Sequence, residues 1–230
     1  MAGRIFAITG ASGVLGAAVV RAAAAQGARV ALIDFAKTAE VLPQAGSDAL
    51  MLGGVDLTDA VAAGAAIDAV ADRFGGLDAL INIAGGFKWE TLENSRMEGW
   101  HRLFLMNVQT AANASRAATP HLKRSAAGRI VNVGANGAIK PSAGMGPYAA
   151  SKLGVHALTE SLAQELKPDG VTVNAVLPSI IDTPANRADM PKADFAAWVS
   201  PDDLAAVILF LASEEARAVT GALLPVTGRV

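Results

Sequence analysis

The sequence contains no cysteine, and only 17% of its 230 residues are charged. Without cysteine, no disulfide framework and no thiolate metal site can form. The 19 basic and 21 acidic side chains give a net charge of −2 with no run of Lys or Arg, so we expect neither nucleic acid nor a membrane as a partner. Arg or Asp interrupts each apolar stretch short of the ~20 residues of a spanning helix. Met1 to Arg4 lead into a strand-like run without a signal-peptide core, which predicts a cytoplasmic protein.

Apolar residues make up 52% of the chain and occur in short β-branched runs separated by longer Ala-rich stretches. A strand buried on both faces of a parallel sheet reads as such a continuous run. The runs predict strands at Ile5–Thr9, Ala28–Asp34, Ala49–Leu52, Asp78–Ile83, Arg129–Val133, Val171–Val176 and Leu223–Val226. Helices are predicted at Gly13–Gln26, Thr58–Phe74, Glu98–Lys123, Gly146–Leu166 and Pro201–Ala212. This alternation predicts an α/β fold, a single domain over residues 1–230, with a Rossmann-type doubly wound parallel sheet of about seven strands flanked by helices.

Two connections depart from this regular alternation. Phe35 to Asp48 leaves room for a stunted helix at most. Residues 179–200 form a stretch too long for a plain turn, with Pro184 and Pro191 inside it. Because loops of this length in compact domains often cover sites, we expect a substrate lid at about 179–200.

A glycine-rich turn, Thr9 to Gly16, follows the first strand and opens the first helix. Gly10 permits the tight turn, Gly13 allows backbone to approach a pyrophosphate, and Gly16 allows close packing of the helix. Asp34 ends the next strand 18 residues after Gly16, near the spacing at which a carboxylate meets the adenosine ribose hydroxyls. A carboxylate there repels a 2′-phosphate, so NAD(H) is favoured over NADP(H); the alternative is a solvated Asp at a strand end.

Tyr148 is the only tyrosine in the chain, and Lys152 follows it by four residues at the start of a predicted helix. That spacing places both side chains on one helical face. A free phenol has a pKa of about 10, and a neighbouring ammonium should lower it toward the range of a general acid in carbonyl reduction. The pair is common on surface helices, but its position in a dinucleotide-type fold predicts catalysis.

With these motifs the chain resembles the short-chain dehydrogenase/reductases over nearly its full length. The glycine turn, Asp56-Leu57, Asn82 to Gly85, Asn107 and the Tyr148–Lys152 pair occur in the family's order. The resemblance implies three catalytic residues: Tyr148 as proton donor, Lys152, which also binds the nicotinamide ribose, and Asn107, which holds a water linking Lys152 to solvent. It implies that the cofactor-binding residues are Gly10, Ser12, Gly13, Val14, Leu15, Gly16, Asp34, Asp56, Leu57, Asn82, Ala84, Gly85, Tyr148, Lys152, Pro178, Ile181 and Thr183.

Some of these residues have simpler interpretations. Asn107 could be an ordinary polar helix residue, and Asn82 a buried turn-former. The segment from Pro178 to Thr183 resembles the family's Pro-Gly-x-x-x-Thr segment, which meets the carboxamide and pyrophosphate, although Ser179 replaces the glycine.

The sequence departs from the family where a serine usually stands about 13 residues before the tyrosine: this position is Ala135. Losing a preorganised donor can cost ~10²–10³ in rate when an oxyanion forms. The enzyme is therefore either impaired, or its substrate does not need that donor. Ser142 should lie out on the loop and is a poor substitute.

A second resemblance favours a substrate that does not need the donor. Ala84-Gly85-Gly86-Phe87 and the stretch from Asp182 to Trp198 resemble the dihydropteridine reductases, which also lack the serine and reduce a quinonoid dihydropterin with NADH. We therefore expect Ala135, Phe87 and Trp198 to contact substrate, with Trp89 and Trp100 as further aromatic candidates. The three histidines show no metal-ligand spacing and no obvious acid partner, so no metal site is predicted.

Three functions remain open at this point. The first is an NADH-dependent reductase of a quinonoid or carbonyl substrate. The second is a general ketone or alcohol dehydrogenase of the same family, in which Asn136 or a water replaces the serine. The third is a non-catalytic dinucleotide-binding sensor. In each case the partner is a small molecule, and the resemblance implies a homodimer or homotetramer.

Overall fold

Strands and helices alternate along the chain in a computed structural model, which describes residues 1–37, 45–46 and 48–230. The strands are β1 (Ile5–Thr9), β2 (Arg29–Asp34), β3 (Leu50–Gly53), β4 (Ala79–Asn82), β5 (Arg129–Val133), β6 (Thr172–Pro178) and β7 (Leu223–Val226). The helices are α1 (Val14–Ala25), α2 (Ala60–Phe74), α3 (Met97–Phe104), α4 (Thr110–Leu122), α5 (Gly146–Leu166), α6 (Pro184–Asp189) and α7 (Pro201–Leu211).

One seven-stranded sheet, in the order β3-β2-β1-β4-β5-β6-β7, joins these strands, and all neighbours are parallel. The predicted fold class is confirmed. The strand order reverses between β1 and β4, and ligands of such sheets bind at the carboxyl ends of the strands beside this switch point. We therefore expect the candidate cofactor and catalytic residues to lie at this edge of the sheet.

Alternate residues of each strand face opposite sides of the sheet, as the twofold repeat of a strand requires. In β1, Phe6 and Ile8 join α1 and α7 in one buried cluster. Ile5 and Ala7 join α2, α4 and α5 in another. Both faces of the central strands are thus covered, which explains why their sequences read as uninterrupted apolar runs.

The last helix begins at Pro201, as predicted. Ser200 is the N-cap, and its hydroxyl oxygen accepts the Asp203 N–H at 3.0 Å, while Pro201 occupies the first helical position. Side-chain capping of this kind satisfies a backbone donor that the helix itself leaves free.

The helix predicted at Glu98–Lys123 is interrupted. A π-helical turn, Leu105–Gln109, separates α3 from α4, and the Thr110 N–H bonds to the Leu105 carbonyl across it. Such turns are rare and frequently occur at functional sites. The apolar periodicity continues across the interruption, so the pattern did not indicate it.

The predicted lid contains more structure than a loop. It includes α6 and a 3₁₀ turn at Phe195–Ala197, and Ile181 pairs with Val199 in an isolated parallel bridge that closes its base. The prediction for Phe35 to Asp48 lies largely outside the described residues. Among the described residues, no helix combines the length and the apolar character needed to cross a membrane.

Candidate active site

The glycine-rich turn joins β1 to α1 at the carboxyl edge of the sheet. Gly10 has a φ of +63°, and a Cβ there would lie 2.8 Å from the backbone nitrogen of Ala84. A Cβ on Gly16 would lie 2.2 Å from the Gly10 carbonyl oxygen, so α1 lies directly against the turn. Gly13, the N-cap of α1, has no side chain to cap the first N–H groups of the helix. These groups and the helix dipole suit an anion such as a pyrophosphate.

Asp34 lies beside this turn at the end of β2. Its Oδ2 accepts the Ser12 N–H at 2.9 Å, and its Oδ1 accepts the Ala36 N–H at 3.0 Å. The carboxylate is thus held next to the turn, in the place from which an acid can bond to the ribose hydroxyls of a dinucleotide.

The other residues that were predicted to bind the adenosine half of the cofactor differ in the exposure of their side chains. Val14 is exposed, while Leu15 is buried in the core. Asp56 is exposed, and its Oδ1 accepts both the N–H and the hydroxyl of Thr58, at 2.9 and 2.7 Å. Leu57 is buried in the cluster beneath α2. Its side chain faces the core rather than the cleft, because α2 begins three residues later and covers it.

The end of β4 is tied to β1 by a residue that the sequence analysis did not single out. The hydroxyl oxygen of Thr9 accepts the N–H groups of Ile83 and Ala84, at 3.1 and 3.2 Å. Asn82 is buried, and its amide donates to Asn132 Oδ1 at 2.9 Å and Ser115 Oγ at 3.1 Å. Asn82 therefore shapes the strand end from behind, with its side chain outside the cleft.

Asn107 lies in the π-helical turn and fixes the chain that leaves β4. Its Oδ1 accepts the Gly86 N–H at 2.8 Å, and its Nδ2 donates to the Gly86 carbonyl at 3.0 Å and to Ser151 Oγ at 2.9 Å. Ser151 in turn donates to the Tyr148 carbonyl at 2.7 Å. Both amide hydrogens of Asn107 are thus committed, so a water at Asn107 would have to donate to one of its oxygens.

Lys152 and Asn107 converge on Gly85, at the end of the same strand. A Cβ on Gly85 would lie 2.6 Å from Asn107 Oδ1 and 3.6 Å from Lys152 Nζ. The buried Lys152 Nζ donates to the Val133 carbonyl at the end of β5, at 2.7 Å. The structure therefore brings together the two strand ends, the π-helical turn and the first turns of α5.

The expected lowering of the Tyr148 pKa is not found in the ligand-free protein. Burial raises the pKa of Tyr148 to about 12 and lowers the pKa of Lys152 to about 8. The ammonium bonds to the Val133 carbonyl, and burial disfavours the charged form of both groups. Tyr148 therefore keeps its proton near neutral pH, whereas the pKa of Lys152 lies close to neutral pH.

Ala135 lies beside Tyr148, two residues beyond the end of β5. It is buried with Ala138 and Ala149, and Tyr148 and Met145 pack against this cluster. The buried methyl group of Ala135 therefore lies beside the Tyr148 side chain. Ser142 is exposed on the connecting loop, as expected.

An aromatic side chain from the β4–α3 connection also contacts Tyr148. The Phe87 ring meets the Tyr148 ring edge to face, with centroids 4.8 Å apart, and Phe87 is 56% exposed. Trp89 Nε1 donates to the Ala143 carbonyl at 3.0 Å and lies against Gly144, where a Cβ would be 2.1 Å from its ring. The connection is thereby fastened to the loop that precedes α5.

Several residues of the predicted lid form hydrogen bonds and ring contacts with one another. Thr183 caps α6, its hydroxyl oxygen accepting the Asn186 N–H at 3.1 Å. Arg187 donates to both carboxylate oxygens of Asp182, at 2.5 and 2.7 Å, and its guanidinium lies 4.8 Å from the Phe195 ring centroid. Pro178 ends β6, and Ile181 forms the bridge at the base of the lid.

Trp198 is buried, with only 7% of its surface exposed, and its ring lies 4.8 Å from that of Phe195. The structure therefore places it in the packing of the lid rather than on an open pocket wall, because the ring is covered on most sides. Trp100 also packs internally, donating from Nε1 to Ser95 Oγ at 3.2 Å.

One of the histidines differs from expectation. His121 does have an acid partner: its Nε2 lies 2.7 Å from Asp68 Oδ1, and Arg124 bonds to its other ring nitrogen. His156 is buried one turn after Lys152, and its Nε2 accepts the Ala135 N–H at 3.3 Å. Across the described ranges, no group of three or more metal-binding side chains comes together.

Sequence reasoning missed Ser151, Thr9 and His156 as parts of this site. Ser151 and His156 stand three and eight residues after Tyr148, so helical spacing alone could have placed them on its face. The Val133 carbonyl had no sequence signal, because a backbone oxygen is present at every position.

Comparisons with known proteins agree with this geometry. The sequence model of the family described as short chain dehydrogenase matches residues 4–194. A 2,5-dichloro-2,5-cyclohexadiene-1,4-diol dehydrogenase of Sphingobium indicum is 34% identical over 243 residues, covering 99% of this chain and 96% of the relative.

Two solved structures from Brucella melitensis have the same fold. A 3-ketoacyl-(acyl-carrier-protein) reductase complexed with NADH is 30% identical, with a TM-score of 0.89 over 99% of this chain and 98% of that one. A glucose/ribitol dehydrogenase-type short-chain dehydrogenase/reductase is 28% identical, with a TM-score of 0.92 over 99% of this chain and 96% of that one. The match spans the glycine turn, the Tyr148–Lys152 helix and the whole sheet, and the chain therefore belongs to the short-chain dehydrogenase family as an NAD(P)-dependent oxidoreductase.

Proposed function

We propose that the protein is an NADH-dependent reductase that passes hydride to a quinonoid dihydropterin-like or carbonyl substrate, with Tyr148 as proton donor. The observation that carries the proposal is the buried methyl of Ala135 beside the only tyrosine of the chain. A ketone that becomes an alkoxide concentrates negative charge on one oxygen and gains strongly from a second donor. A quinonoid ring spreads that charge, so a single donor suffices.

The protonation states of the pair suit reduction. A phenol with a pKa of about 12 holds its proton at neutral pH and is ready to donate it. Lys152, with a pKa of about 8, is mostly an ammonium there and stabilises the phenolate that forms when the proton leaves. In the reverse direction Tyr148 would first have to lose its proton, which burial opposes.

The cofactor is held, in this proposal, by the glycine turn at the pyrophosphate and by Asp34 at the adenosine ribose. When bound, its nicotinamide supplies the hydride. The carboxylate of Asp34 favours NADH, because it accepts hydrogen bonds from ribose hydroxyls and repels a 2′-phosphate. Lys152 and Tyr148 would hold the nicotinamide ribose, with Gly85, Pro178, Ile181 and Thr183 as the further residues that the family resemblance assigns to the cofactor.

The pterin-like substrate is supported by the resemblance of the lid to the dihydropteridine reductases and by the position of Phe87. This ring is half exposed and meets Tyr148 edge to face, so its remaining surface can contact a flat heterocycle. The buried methyl group of Ala135, which lies in the cluster against which Tyr148 packs, adds an apolar neighbour to the tyrosine. Trp198 supports the lid from within, since it is buried.

A second candidate is a general ketone or alcohol dehydrogenase. It is favoured by the relative from Sphingobium indicum, which is named as a dehydrogenase of a cyclic diol. In that case Asn136, one residue after Ala135 and partly exposed, or a bound water would supply the second donor.

The test is a direct comparison of substrates with purified protein. We expect NADH-dependent turnover of quinonoid dihydropterin, and slower turnover of simple ketones and alcohols. Ala135→Ser should raise ketone reduction by roughly 10-fold or more while changing pterin turnover little, because the new hydroxyl assists only a localised oxyanion. Turnover of ketones or alcohols with none of the pterin would favour the second candidate and contradict the first.

We also propose a homodimer or homotetramer, as the family resemblance implies. Phe104 on α3 and Leu153 on α5 are 50% and 46% exposed, and burying them against a second copy would remove apolar surface from water. Sedimentation equilibrium measures the state directly; a monomer at micromolar concentration would contradict this proposal.

A further inference from the structure

His156 is buried on the same face of α5 as Tyr148 and Lys152, one helical turn beyond the lysine. Its Nε2 accepts the N–H of Ala135 at 3.3 Å. A backbone N–H can only donate, so this nitrogen carries the lone pair and the neutral ring carries its proton on Nδ1.

Gly134 leaves the space that this contact requires. A Cβ on Gly134 would lie 2.5 Å from His156 Nε2 and 2.8 Å from Cδ2. The φ of Gly134 is not positive, so the glycine is needed here for the approach of the imidazole rather than for an unusual backbone conformation.

Two successive turns of α5 therefore bond to the backbone at and just beyond the end of β5. Lys152 donates to the Val133 carbonyl at 2.7 Å, and His156 accepts from Ala135 two residues later. The regular pairing of β5 with β6 stops at Val133, and the Gly134 N–H makes the last backbone bond to β6, at 2.9 Å. At Ala135, the backbone N–H therefore bonds to the His156 side chain and no longer to a neighbouring strand.

We propose that His156 is a positioning residue, which fixes the backbone of Ala135 so that its methyl packs against Tyr148 and the Val133 carbonyl stays under Lys152. A serine at position 135 could anchor this segment through its own hydroxyl, whereas alanine has only its backbone to offer. This inference rests on the proposed reductase function for its kinetic consequences, but the contact itself can be tested without any substrate.

The contact should respond to pH. A protonated imidazole can no longer accept the Ala135 N–H, and it places a second positive charge near Lys152. Burial lowers the pKa of His156, the charge of Lys152 lowers it further, and Glu160 opposes them. Both charged groups lie on α5, while the nearest residues of β5 and β6, Gly134, Ala135 and Leu177, have no ionisable side chains.

The kinetic test uses three variants of His156 and its neighbour. We expect His156→Leu to lower kcat on the order of 10-fold to 100-fold, because it releases the segment beside the reacting groups. His156→Gln, whose Oε1 can accept the same N–H, should recover most of kcat and lose the acid-side fall in activity that imidazole protonation causes. Gly134→Ala, which displaces the imidazole, should reproduce His156→Leu, and the double variant should be no worse than either alone.

Thr159→Val is the matched control on the next turn of α5. Thr159 is fully buried, and its hydroxyl accepts from Asn132 Nδ2 at 2.9 Å, away from Tyr148. We expect it to lower the melting temperature while leaving the pH profile of kcat as in the wild type. A wild-type kcat and pH profile in His156→Leu, or strict additivity with Gly134→Ala, would overturn the proposal.

The substrate-free test is the nitrogen NMR spectrum of the imidazoles, which is simple because the chain has three histidines. We expect His156 to be in the Nδ1–H form at neutral pH, with a lone pair on Nε2. An Nε2–H form would overturn the inference. If the wild type reduces no quinonoid or carbonyl compound, the proposed function fails, and this spectrum still decides on the contact.

Discussion

At the scale of single residues, the proposed preference for NADH depends on Asp34. Its two oxygens accept the N–H groups of Ser12 and Ala36 beside the glycine turn. Asp34→Ser removes the charge that repels a 2′-phosphate, so the ratio of NADH to NADPH affinity should fall on the order of 100-fold, about 3 kcal/mol. Titration of both cofactors measures the ratio. Asp48→Ser, which removes an exposed carboxylate paired with Arg29 and Arg73, is the control and should leave the ratio unchanged.

We expect Lys152 to set the alkaline limit of the proposed reduction. Burial lowers its pKa from 10.5 to about 8, so the ammonium is present below that pH and is lost as the pH rises through it. We expect kcat/KM for reduction to fall above about pH 8. In Lys152→Arg the fall should move to much higher pH, because a guanidinium stays charged. A profile that is flat up to pH 10.5, the ordinary value of lysine, would contradict this assignment.

Several site residues were predictable because their chemistry is local. The glycine turn, Asp34, Tyr148 and Lys152 follow from spacing along a strand end or a helix. The direction of the Tyr148 pKa was wrongly expected, since burial outweighs a neighbouring charge that is itself bonded to Val133. Spacing gives neighbours, but burial depends on the whole fold.

At the scale of elements, the close contact of α1 with the glycine turn constrains the proposed cofactor site. A Cβ on Gly16 would lie 2.2 Å from the Gly10 carbonyl oxygen, whereas a Cβ on Gly64 in α2 would meet nothing within 4 Å. Gly16→Ala should therefore lower the free energy of unfolding by about 1–3 kcal/mol and weaken NADH binding. Gly64→Ala should raise it by about 1 kcal/mol, because alanine is the better helix former.

Chemical denaturation and NADH titration measure both variants. If Gly16→Ala were as stable as Gly64→Ala, α1 could shift away from the turn at little cost. If Gly16→Ala kept the full NADH affinity, the close approach of α1 would not be needed for binding.

Element boundaries were predictable where capping residues stand, as at Ser200 and Pro201. The π-helical turn at Leu105–Gln109 was not, because it inserts within a continuous helical pattern and depends on Asn107 reaching Gly86 and Ser151. The helix α6, in the predicted lid, was missed because it spans only six residues, Pro184–Asp189, too few for a periodic signal.

At the scale of the whole molecule, NADH should stabilise the fold as a unit, because its proposed contacts span the ends of β1, β2, β4, β5 and β6. At 100 times its dissociation constant, a ligand adds about 2.7 kcal/mol, which corresponds to a rise in melting temperature of about 5–10 °C for a chain of this size. Differential scanning fluorimetry measures it. At the same concentration NADPH should give a smaller rise, and equal rises would contradict the role assigned to Asp34.

The doubly wound parallel sheet could be predicted, because alternating strands and helices have few right-handed solutions. The distribution of side chains between core and cleft could not. Leu57 was expected to bind the cofactor and Trp198 to contact substrate, but both side chains are buried in the protein. An apolar side chain at the edge of a site is stabilised by packing against the neighbouring core.

The central claim is that Tyr148 alone donates the proton, with no hydroxyl at position 135. The most direct measurement is the single-turnover rate of NADH oxidation by quinonoid dihydropterin in the wild type and in Tyr148→Phe, with Phe87→Leu as a control for lost ring packing. We predict a fall of about 10²–10⁴ in Tyr148→Phe with NADH binding retained, and a much smaller change in Phe87→Leu. A Tyr148→Phe variant that keeps the wild-type rate would contradict the account.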